Sequence, residues 1–337
     1  PALLLEPLRT NILTQSELLS DFTKTNITEV SGNQVTPEGV LGSVKISPTS
    51  SSSVTQISKA GLTTGIAYSL SFFVKAAEAS NLIINQAGSS SYRADYNVNN
   101  LTTTSSVGIT ANIKSYGNNW VRVEYITSSL TYADIRILLS DGSGNYPYSP
   151  PVGEGLYLWG FQLEANSPYP TSYIPTYGTS VTRNGDSCLG AGNASTFNST
   201  EGVLYWEGSF DSTSTTAGAI ALIGANSNRV QLYNSGSNVV ALIGVNGITS
   251  FTATTSGSVD ITSNHKYAVK WALNDFALWV DGVKIATDTS GATFNNDALT
   301  ELRFSDFGAS YFYANVKQVL TFNTALSDAE LATLTTI

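Results

Sequence analysis

The stretch from Leu156 to Arg183, LYLWGFQLEANSPYPTSYIPTYGTSVTR, decides the architecture of this chain and is called the organising stretch below. Its first part alternates between large apolar side chains and smaller or polar ones, and a period of two predicts a strand with two distinct faces. Three prolines then disfavour a helix and favour extended or turning backbone. On this pattern, one face of the predicted strand carries Tyr157, Trp159, Phe161 and Leu163.

Three tyrosines keep the proline-rich part of this stretch apolar: Tyr169, Tyr173 and Tyr177. A segment of this composition is expected to lie against a surface. The tyrosines are therefore candidates for a contact with another subunit, or for a contact that braces two domains of the same chain.

The length of 337 residues favours two domains. Residues 1–184 are predicted to form the first domain and residues 202–337 the second. Between them, residues 185–201 are small and polar without a clear period, which predicts a linker.

Composition favours an all-β protein, because only 12% of the residues are charged and Ser, Thr, Asn and Gly replace the usual helix formers. The net charge of −9 argues against a nucleic-acid groove and against binding to an anionic membrane surface. No apolar run is long enough for membrane insertion. The single cysteine, Cys188, excludes an intrachain disulfide.

Short alternating segments recur on both sides of the organising stretch, and turn residues separate them. Each apolar face must be buried against another sheet, so the pattern predicts two β-sandwiches. Near the end of the chain, Ser327 and Glu330 have the spacing of a capping box, which predicts a short C-terminal helix. The clearest strand segments are 68–75, 120–125, 134–139, 202–210, 229–233, 239–243 and 265–288.

Two motifs of the organising stretch, WGFQLE at 159–164 and PTSYIPT at 170–176, resemble a recurrent domain of bacteriophage structural proteins. Val181-Thr182-Arg183 with Asp186, and EPLRTN at 6–11, agree with the same pattern, although Phe161 replaces a usual small residue. Members of this family look like jelly-roll carbohydrate-binding modules. The resemblance therefore implies a jelly roll over residues 1–184.

The block at 265–288 and the closing segment NTALSDAEL at 323–331 resemble concanavalin-A-like, laminin-G-like sandwiches. Together the two resemblances imply a phage virion surface protein, a tail or fibre component that attaches to glycans of the host cell. One alternative is a capsid decoration or head fibre protein with a structural role, and a second is a polysaccharide depolymerase. The first interpretation also implies other virion proteins as partners, a homo-oligomer, which phage fibres usually build as a trimer, and a place on the virion surface.

The residue types that catalysis needs are sparse, so no enzyme is predicted. The one histidine, His265, lies in a turn-like context and has no nucleophile motif around it. Glu207 and Asp211 are four residues apart on a predicted strand, but the acid cluster of concanavalin-A-like glycosidases is missing.

Two aromatic residues are candidates for ligand binding. Trp279 alternates with Phe276, Leu278 and Val280 in a way that turns it outward, and Phe73 is a similar case. Packing beneath a loop is the alternative for both.

No cofactor is required under this interpretation. Both sandwich families that the chain resembles often carry a structural calcium ion, so Ca²⁺ is considered. Asp141 and Asp281 offer oxygen ligands next to glycines, but neither belongs to a full calcium loop. Ordinary turn residues are the alternative. The sequence also leaves open whether the chain is a complete gene product or a fragment of a longer fibre.

Overall fold

The computed structural model describes residues 2–32, 34–145, 148–211, 213, 218–257, 259–305 and 312–337. Strands make up 48% of the chain and helices 3%. Every pairing recorded between described strands is antiparallel. The predicted all-β class with a short C-terminal helix is confirmed.

The strands are short and follow one another closely along the chain. Those up to residue 183 are β1 (Leu3–Leu5), β2 (Arg9–Asn11), β3 (Thr23–Thr25), β4 (Ile27–Ser31), β5 (Val44–Pro48), β6 (Gln56–Ala60), β7 (Tyr68–Ala76), β8 (Asn81–Gln86), β9 (Arg93–Asn97), β10 (Thr102–Ser105), β11 (Ile109–Ser115), β12 (Trp120–Thr127), β13 (Asp134–Ser140), β14 (Leu156–Ala165) and β15 (Val181–Arg183), with a 3-10 turn at Ser90–Tyr92. The later elements are β16 (Gly202–Phe210), β17 (Ala219–Ile223), β18 (Arg229–Ser235), β19 (Asn238–Val245), β20 (Ile248–Thr254), β21 (His265–Trp271), β22 (Phe276–Val280), β23 (Val283–Asp288), β24 (Glu301–Arg303), β25 (Ala314–Phe322) and the helix α1 (Asp328–Thr335).

The chain forms two compact units. The first unit is Arg9–Arg183, and the second unit combines Pro1–Leu8 with Asn184–Ile337. The sequence assigned the first eight residues to the first domain, but β1 pairs with β25 and places Leu5 in the core of the second unit. A three-residue strand at the start of a chain carries too little pattern to reveal its partner.

The segment 185–201, predicted to be a linker, packs within the second unit. Phe197 lies in the core, Ala191 bridges to Leu302, and the Ser199 hydroxyl accepts a hydrogen bond from the Leu299 backbone at 2.9 Å. Small polar residues here support irregular but ordered backbone.

The first unit is a sandwich of two six-stranded sheets and has a two-stranded sheet made of β2 and β15. One large sheet has the order β10-β9-β8-β13-β6-β3 and is called the β8 sheet below. The other has the order β11-β12-β7-β14-β5-β4 and is called the β14 sheet. Their inner faces form one core, which includes Phe72, Ile84, Val123, Ile137 and Leu158. Since side chains alternate, every second residue of each strand faces outward.

A β-bulge in the middle of β14 reverses the side of the sheet to which its alternate side chains point. Trp159 pairs with Phe73 but Gln162 pairs with Ser71, so β14 has one residue more than β7 between these pairs. Gly160 takes a left-handed φ of +66° at this point, as expected of a bulge glycine. Trp159 therefore lies on the outer face and Phe161 in the core. The prediction that Tyr157, Trp159, Phe161 and Leu163 share one face is wrong.

The second unit is also a sandwich, with sheets ordered β1-β25-β16-β21-β22-β23 and β20-β19-β18-β17-β24. Its core lies between them and includes Trp206, Leu232, Tyr267 and Phe276. The helix α1 covers the outer face of the six-stranded sheet through Leu331. Ser327 and Glu330 form the predicted capping box. In the part of the chain that the structure describes, no helix is long and apolar enough to cross a membrane.

Candidate functional site

A polar pocket of about 170 Å³ lies at one end of the β8 sheet, where β8, β9, β10 and β13 come together. Leu82 and Tyr96 point into the sandwich core, so their chain neighbours Asn81, Asp95 and Asn97 point outward. The residues around this opening, called the β8 pocket below, are Asn81, Leu82, Asp95, Tyr96, Asn97, Thr102, Thr103, Thr104, Ser140 and Gly142.

Strand register aligns the polar side chains of the β8 pocket in a row. Asn81 pairs with Asn97 on one side and with Ser140 on the other, and Asn97 pairs with Thr102. Four neighbouring strands thus present amides and hydroxyls side by side, about 5 Å from one strand to the next. A row of this kind offers both donors and acceptors to one small polar ligand.

Hydrogen bonds hold the walls of the β8 pocket. The Asn97 Oδ1 accepts from the Asn100 backbone at 2.9 Å, and the Ser140 hydroxyl accepts from the Gly142 backbone at 3.1 Å. The Thr103 hydroxyl donates to the Asp95 carbonyl at 2.8 Å. Thr102 and Thr104 are exposed, and among the described residues no partner is recorded for their hydroxyls. These two hydroxyls can bind a ligand without first breaking a bond within the protein.

Asp95 supplies the charge of the β8 pocket. Arg93 Nε donates to Asp95 Oδ2 at 2.8 Å, and a second bond joins Arg93 to Asp95 Oδ1. The Asp95 side chain is 31% exposed and that of Arg93 only 11%. The carboxylate therefore borders the opening while the guanidinium is withdrawn from it.

A second candidate surface lies on the outer face of the β14 sheet, in the same unit. Phe73, Trp120 and Trp159 form a buried aromatic cluster there, and Tyr157 and Tyr173 pack against it. Ring centroids are 5.4 Å apart for Phe73 and Trp159 and 4.8 Å apart for Trp159 and Tyr173. The structure thus brings together Phe73 and Tyr173, which the sequence suggested separately. Phe73 is only 2% exposed, so its face is occupied by protein.

The proline segment, defined here as residues 166–178, is held over this sheet by buried polar side chains of β14. Gln162 Oε1 accepts from the Ile174 backbone at 2.6 Å, and Gln162 Nε2 donates to the Thr171 carbonyl at 3.2 Å. Glu164 accepts from the backbone and the hydroxyl of Thr171, at 2.9 and 2.6 Å. Asn11 Nδ2 donates to the Ile174 carbonyl at 3.0 Å. The motifs WGFQLE and PTSYIPT are therefore the two halves of one hydrogen-bonded brace.

The three tyrosines of the proline segment differ in exposure. Tyr169 is half-buried with the Arg9 guanidinium 5.9 Å from its ring, and Tyr173 is half-buried with its hydroxyl 2.7 Å from that of Ser16. Burial raises the pKa of Tyr173 well above its usual range. Tyr177 is 69% exposed and donates to Glu17 at 2.8 Å. Tyr177 is thus the one of the three most open to a partner, and a contact through it stays a prediction.

Trp279, the other aromatic candidate for ligand binding, lies beneath the C-terminal helix. It lies on the outer face of its sheet, as the alternation predicts, but it is only 6% exposed because α1 covers that face. Lys284 Nζ lies 5.6 Å from the ring centroid, and the buried indole nitrogen has no hydrogen-bond partner among the residues that the structure describes. Trp279 therefore packs beneath the helix and presents no open face to a ligand.

The two aspartates considered for calcium hold turns. Asp141 Oδ1 accepts from the backbone and hydroxyl of Ser143 at 2.9 and 2.6 Å, and these bonds lower the pKa of Asp141. Asp281 accepts from the Lys266 backbone at 2.9 Å and bonds to His265 Nδ1. Among the described residues, no group of three or more His, Cys, Asp or Glu could hold a metal ion. A structural calcium ion stays a prediction.

The residues considered for catalysis have structural partners. His265 Nε2 lies 2.9 Å from the Asp260 carbonyl, so both ring nitrogens face acceptors. Glu207 accepts from Asn264 at 3.2 Å, and Asp211 accepts from Asn315 at 3.1 Å. The free thiol of Cys188 is half-buried.

Comparison with known proteins adds distant likenesses. No protein-family model matches the chain, and no curated protein matches it significantly in sequence. Among solved structures, the chain is similar to the CBM40 of a Ruminococcus gnavus IT-sialidase bound to alpha2,3 sialyllactose, with 18% identity over 45% of this chain and 97% of that chain and a TM-score of 0.35.

It is also similar to domains LG4-5 of the mouse laminin alpha1 chain, with 12% identity, coverage of 82% and 90%, and a TM-score of 0.29. A Trypanosoma rangeli sialidase in complex with sialic acid is 12% identical, with coverage of 92% of this chain and 62% of that chain and a TM-score of 0.32. Because all three TM-scores are below 0.5, these likenesses do not decide the ligand of this chain.

The sequence alone does not reveal the β8 pocket. Its residues are ordinary strand and turn residues, and segment 97–100 looks like a simple turn. The available signal was the alternation in RADYN at 93–97, where Ala94 and Tyr96 face the core and three polar side chains face outward. Which neighbouring strands complete the row depends on sheet order, which a single sequence does not reveal.

Proposed function

We propose that this protein is a non-enzymatic glycan-binding protein whose ligand site is the β8 pocket. The observation that carries the proposal is the row of Thr102, Asn97, Asn81 and Ser140 across four neighbouring strands, with the Asp95 carboxylate beside it. Each sugar hydroxyl both donates and accepts, and amide and hydroxyl side chains offer both functions. The rigid strands fix these groups before the ligand arrives, which lowers the entropic cost of binding.

The composition of the β8 pocket supports binding over hydrolysis. Glycosidases use two carboxyl groups that flank the scissile bond, roughly 5 to 9.5 Å apart. Among the described residues that line the pocket, Asp95 is the single carboxylate, and both of its oxygens accept from Arg93. A depolymerase is therefore the less favoured alternative.

We further propose a setting on the surface of a phage virion, in a tail or fibre, where the pocket attaches the particle to host-cell glycans. This part rests on the resemblance of WGFQLE at 159–164 and PTSYIPT at 170–176 to bacteriophage structural proteins. A capsid decoration protein with a structural role is the alternative. Other virion proteins would be partners in either case.

We also propose a homo-oligomer, built as a trimer in the manner of phage fibres, because linked copies suit a small polar pocket. One such pocket binds weakly, because sugar hydroxyls are already hydrogen-bonded to water. Linked copies raise the effective concentration and improve avidity by orders of magnitude. Mass measurement in solution tests this part, and a monomer both in solution and in the purified particle contradicts it.

Glycan binding is tested by screening the full chain on an array of bacterial surface glycans, followed by calorimetry with the best ligand. Thr102→Ala and Thr104→Ala each remove one pocket hydroxyl, and each should weaken binding about threefold to tenfold, the effect of one neutral hydrogen bond. Thr28→Ala is the matched control, because Thr28 is also an exposed strand threonine but lies on β4 of the other sheet. Equal effects of all three substitutions, or release of reducing ends from the glycan, would contradict the proposal.

The virion setting needs a separate experiment. Antibody labelling of purified particles under the electron microscope should place the chain on the tail or fibre. Labelling confined to the capsid favours the decoration alternative, and a particle without the chain contradicts a virion role.

A further inference from the structure

We infer that the β8 pocket selects uncharged sugar residues and excludes acidic ones such as uronic acids. This inference deepens the proposed glycan binding and rests on it. It follows from which member of the Asp95–Arg93 ion pair borders the opening, and the size of the pocket limits the ligand to one sugar residue.

The first observation is the unequal exposure of the Asp95–Arg93 pair. Asp95 lines the pocket with a side chain that is 31% exposed, whereas Arg93 is 11% exposed and does not belong to the lining. Although the pair is neutral as a whole, a ligand in the pocket meets its negative end first. A carboxylate on the ligand would therefore approach a carboxylate of the protein, and the less exposed Arg93 is not part of the lining.

The second observation is the nature of the other lining groups. Apart from Asp95, the described lining residues carry amides, hydroxyls or apolar side chains, with no lysine, arginine or histidine among them. Recognition of a ligand carboxylate normally uses a positively charged or bidentate partner. Amides and hydroxyls instead match neutral hydroxyl groups, and the Asp95 oxygens accept from sugar hydroxyls as charge-assisted bonds.

A third observation concerns the rim. Asp141 precedes Gly142, which lines the pocket, and Gly142 lies against Asn81. The bonds from Ser143 lower the pKa of Asp141, so this exposed carboxylate is ionised at neutral pH. Asp141 is not a lining residue, but as the chain neighbour of Gly142 it places a second negative charge beside the pocket, in a chain with a net charge of −9. Both charges repel an anionic ligand, and salt weakens the repulsion.

The volume limits the size of the ligand. About 170 Å³ is small beside the 300 to 1,000 Å³ of typical small-molecule pockets. The pocket therefore takes one sugar residue, with the remainder of the glycan outside.

The test compares two probes that differ at one group: the tightest neutral oligosaccharide from the array, and the same compound with one primary alcohol oxidised to a carboxylate. The primary amide of that carboxylate is the control, because it has nearly the same shape without the charge. Calorimetry on the full chain should give a Kd at least tenfold weaker for the oxidised probe at low salt, with the difference shrinking as salt is added. Each primary alcohol of the neutral probe is first methylated in turn. The alcohol whose methylation abolishes binding enters the pocket, and that alcohol is the one to oxidise.

Asp95→Asn should change the binding affinities of the two probes in opposite directions. Affinity for the neutral probe should fall about tenfold, because charge-assisted bonds become ordinary ones. Affinity for the oxidised probe should rise, because the substitution removes the negative charge of Asp95 that borders the opening while the positive charge of Arg93 remains. Asp141→Asn keeps the turn acceptor, so it should leave the neutral probe unchanged and improve the oxidised one slightly.

The outcomes separate the two claims. If the oxidised probe binds as tightly as the neutral one, or if Asp95→Asn weakens both equally while the melting temperature is kept, the charge selection is overturned and glycan binding stands. If neither probe nor any array glycan binds, the proposed function itself fails, and the charge selection fails with it.

Discussion

Gln162 and Ile174 are joined by a buried hydrogen bond of 2.6 Å, in which the Ile174 backbone donates to the side-chain oxygen of Gln162. The same side chain donates to the carbonyls of Thr171 and Ser172, so one glutamine replaces the strand pairing that prolines prevent in this segment. The proline segment is thereby fixed on the outer face of the β14 sheet.

Gln162→Leu keeps the volume of the side chain but leaves the buried backbone of Ile174 without its partner. We expect the first unit to lose about 1 to 3 kcal/mol of unfolding free energy, the cost of unsatisfied buried polar groups. Urea titration of the full chain, followed by one probe in each unit, measures this loss. The control is Gln318→Leu, since Gln318 is exposed on β25 and its replacement should change stability by less than about 0.5 kcal/mol. Equal losses of unfolding free energy at both positions would show that Gln162 does not hold the proline segment on the sheet.

Gly160 permits both the bulge in β14 and the close approach of Phe73. A Cβ at this position would lie 2.8 Å from Phe73 Cδ2, and the φ of +66° adds strain for any other residue. Gly39 has a φ of +86° with open space around it, so Gly39→Ala reports the backbone cost alone, about 1 to 2 kcal/mol. Gly160→Ala should cost more than Gly39→Ala in thermal melts. If the two substitutions cost the same, Phe73 does not constrain Gly160.

The bulge also shows where sequence patterns reach their limit. Alternation in LYLWGFQLE at 156–164 predicts a strand, and β14 is that strand. Alternation does not reveal that Gly160 inserts an extra residue, because a glycine is compatible with either face. Side-chain direction after the bulge is set by pairing with β7, which depends on the fold as a whole.

The N-terminal strand β1 should stabilise the second unit. Leu5 is 4% exposed in that core, so Leu5→Ala should lower the unfolding free energy of the second unit by about 2 to 4 kcal/mol. Leu8→Ala is the control, because Leu8 is 55% exposed. If Leu5→Ala does not shift the unfolding transition of the second unit, the pairing of β1 with β25 is contradicted.

Fragments extend this prediction. Residues 9–183 should melt cooperatively by themselves, since their core is self-contained. A fragment 200–337, which follows the boundary predicted from the sequence, lacks β1 and Phe197 and should be less stable than the same unit in the full chain. If 200–337 melts at the temperature of the full chain, residues 1–8 and 184–199 contribute nothing to it.

The phenol of Tyr177 should ionise at a higher pH than an ordinary tyrosine. Its hydrogen bond to Glu17 raises the pKa to about 12, from an ordinary value of 10.0, because that bond requires the protonated phenol. The unfolded chain ionises first as pH rises, so the contribution of this bond is complete below about pH 10 and disappears towards pH 12. The difference in ultraviolet absorbance between the parent chain and Tyr177→Phe isolates this titration from the other tyrosines. Glu17→Gln should lower the Tyr177 pKa, and an unchanged titration would exclude the bond.

The candidate site was less accessible to prediction than the fold. Trp279 faces outward by alternation, yet α1 covers it, and coverage depends on where a distant helix packs. Asn81, Asn97 and Thr102 come together through the register of β8, β9 and β10, which a sequence does not fix. By contrast, the capping box of Ser327 and Glu330 is local, and the structure contains it as predicted.

A crystal structure of the full chain with its tightest neutral glycan tests the central claim most directly. We predict one sugar residue in the β8 pocket, within hydrogen-bonding distance of Asn81, Asp95 and Thr102, roughly 2.7 to 3.2 Å. Sugar density on the aromatic cluster around Phe73 and Tyr173, or anywhere in the second unit with the β8 pocket empty, would contradict it.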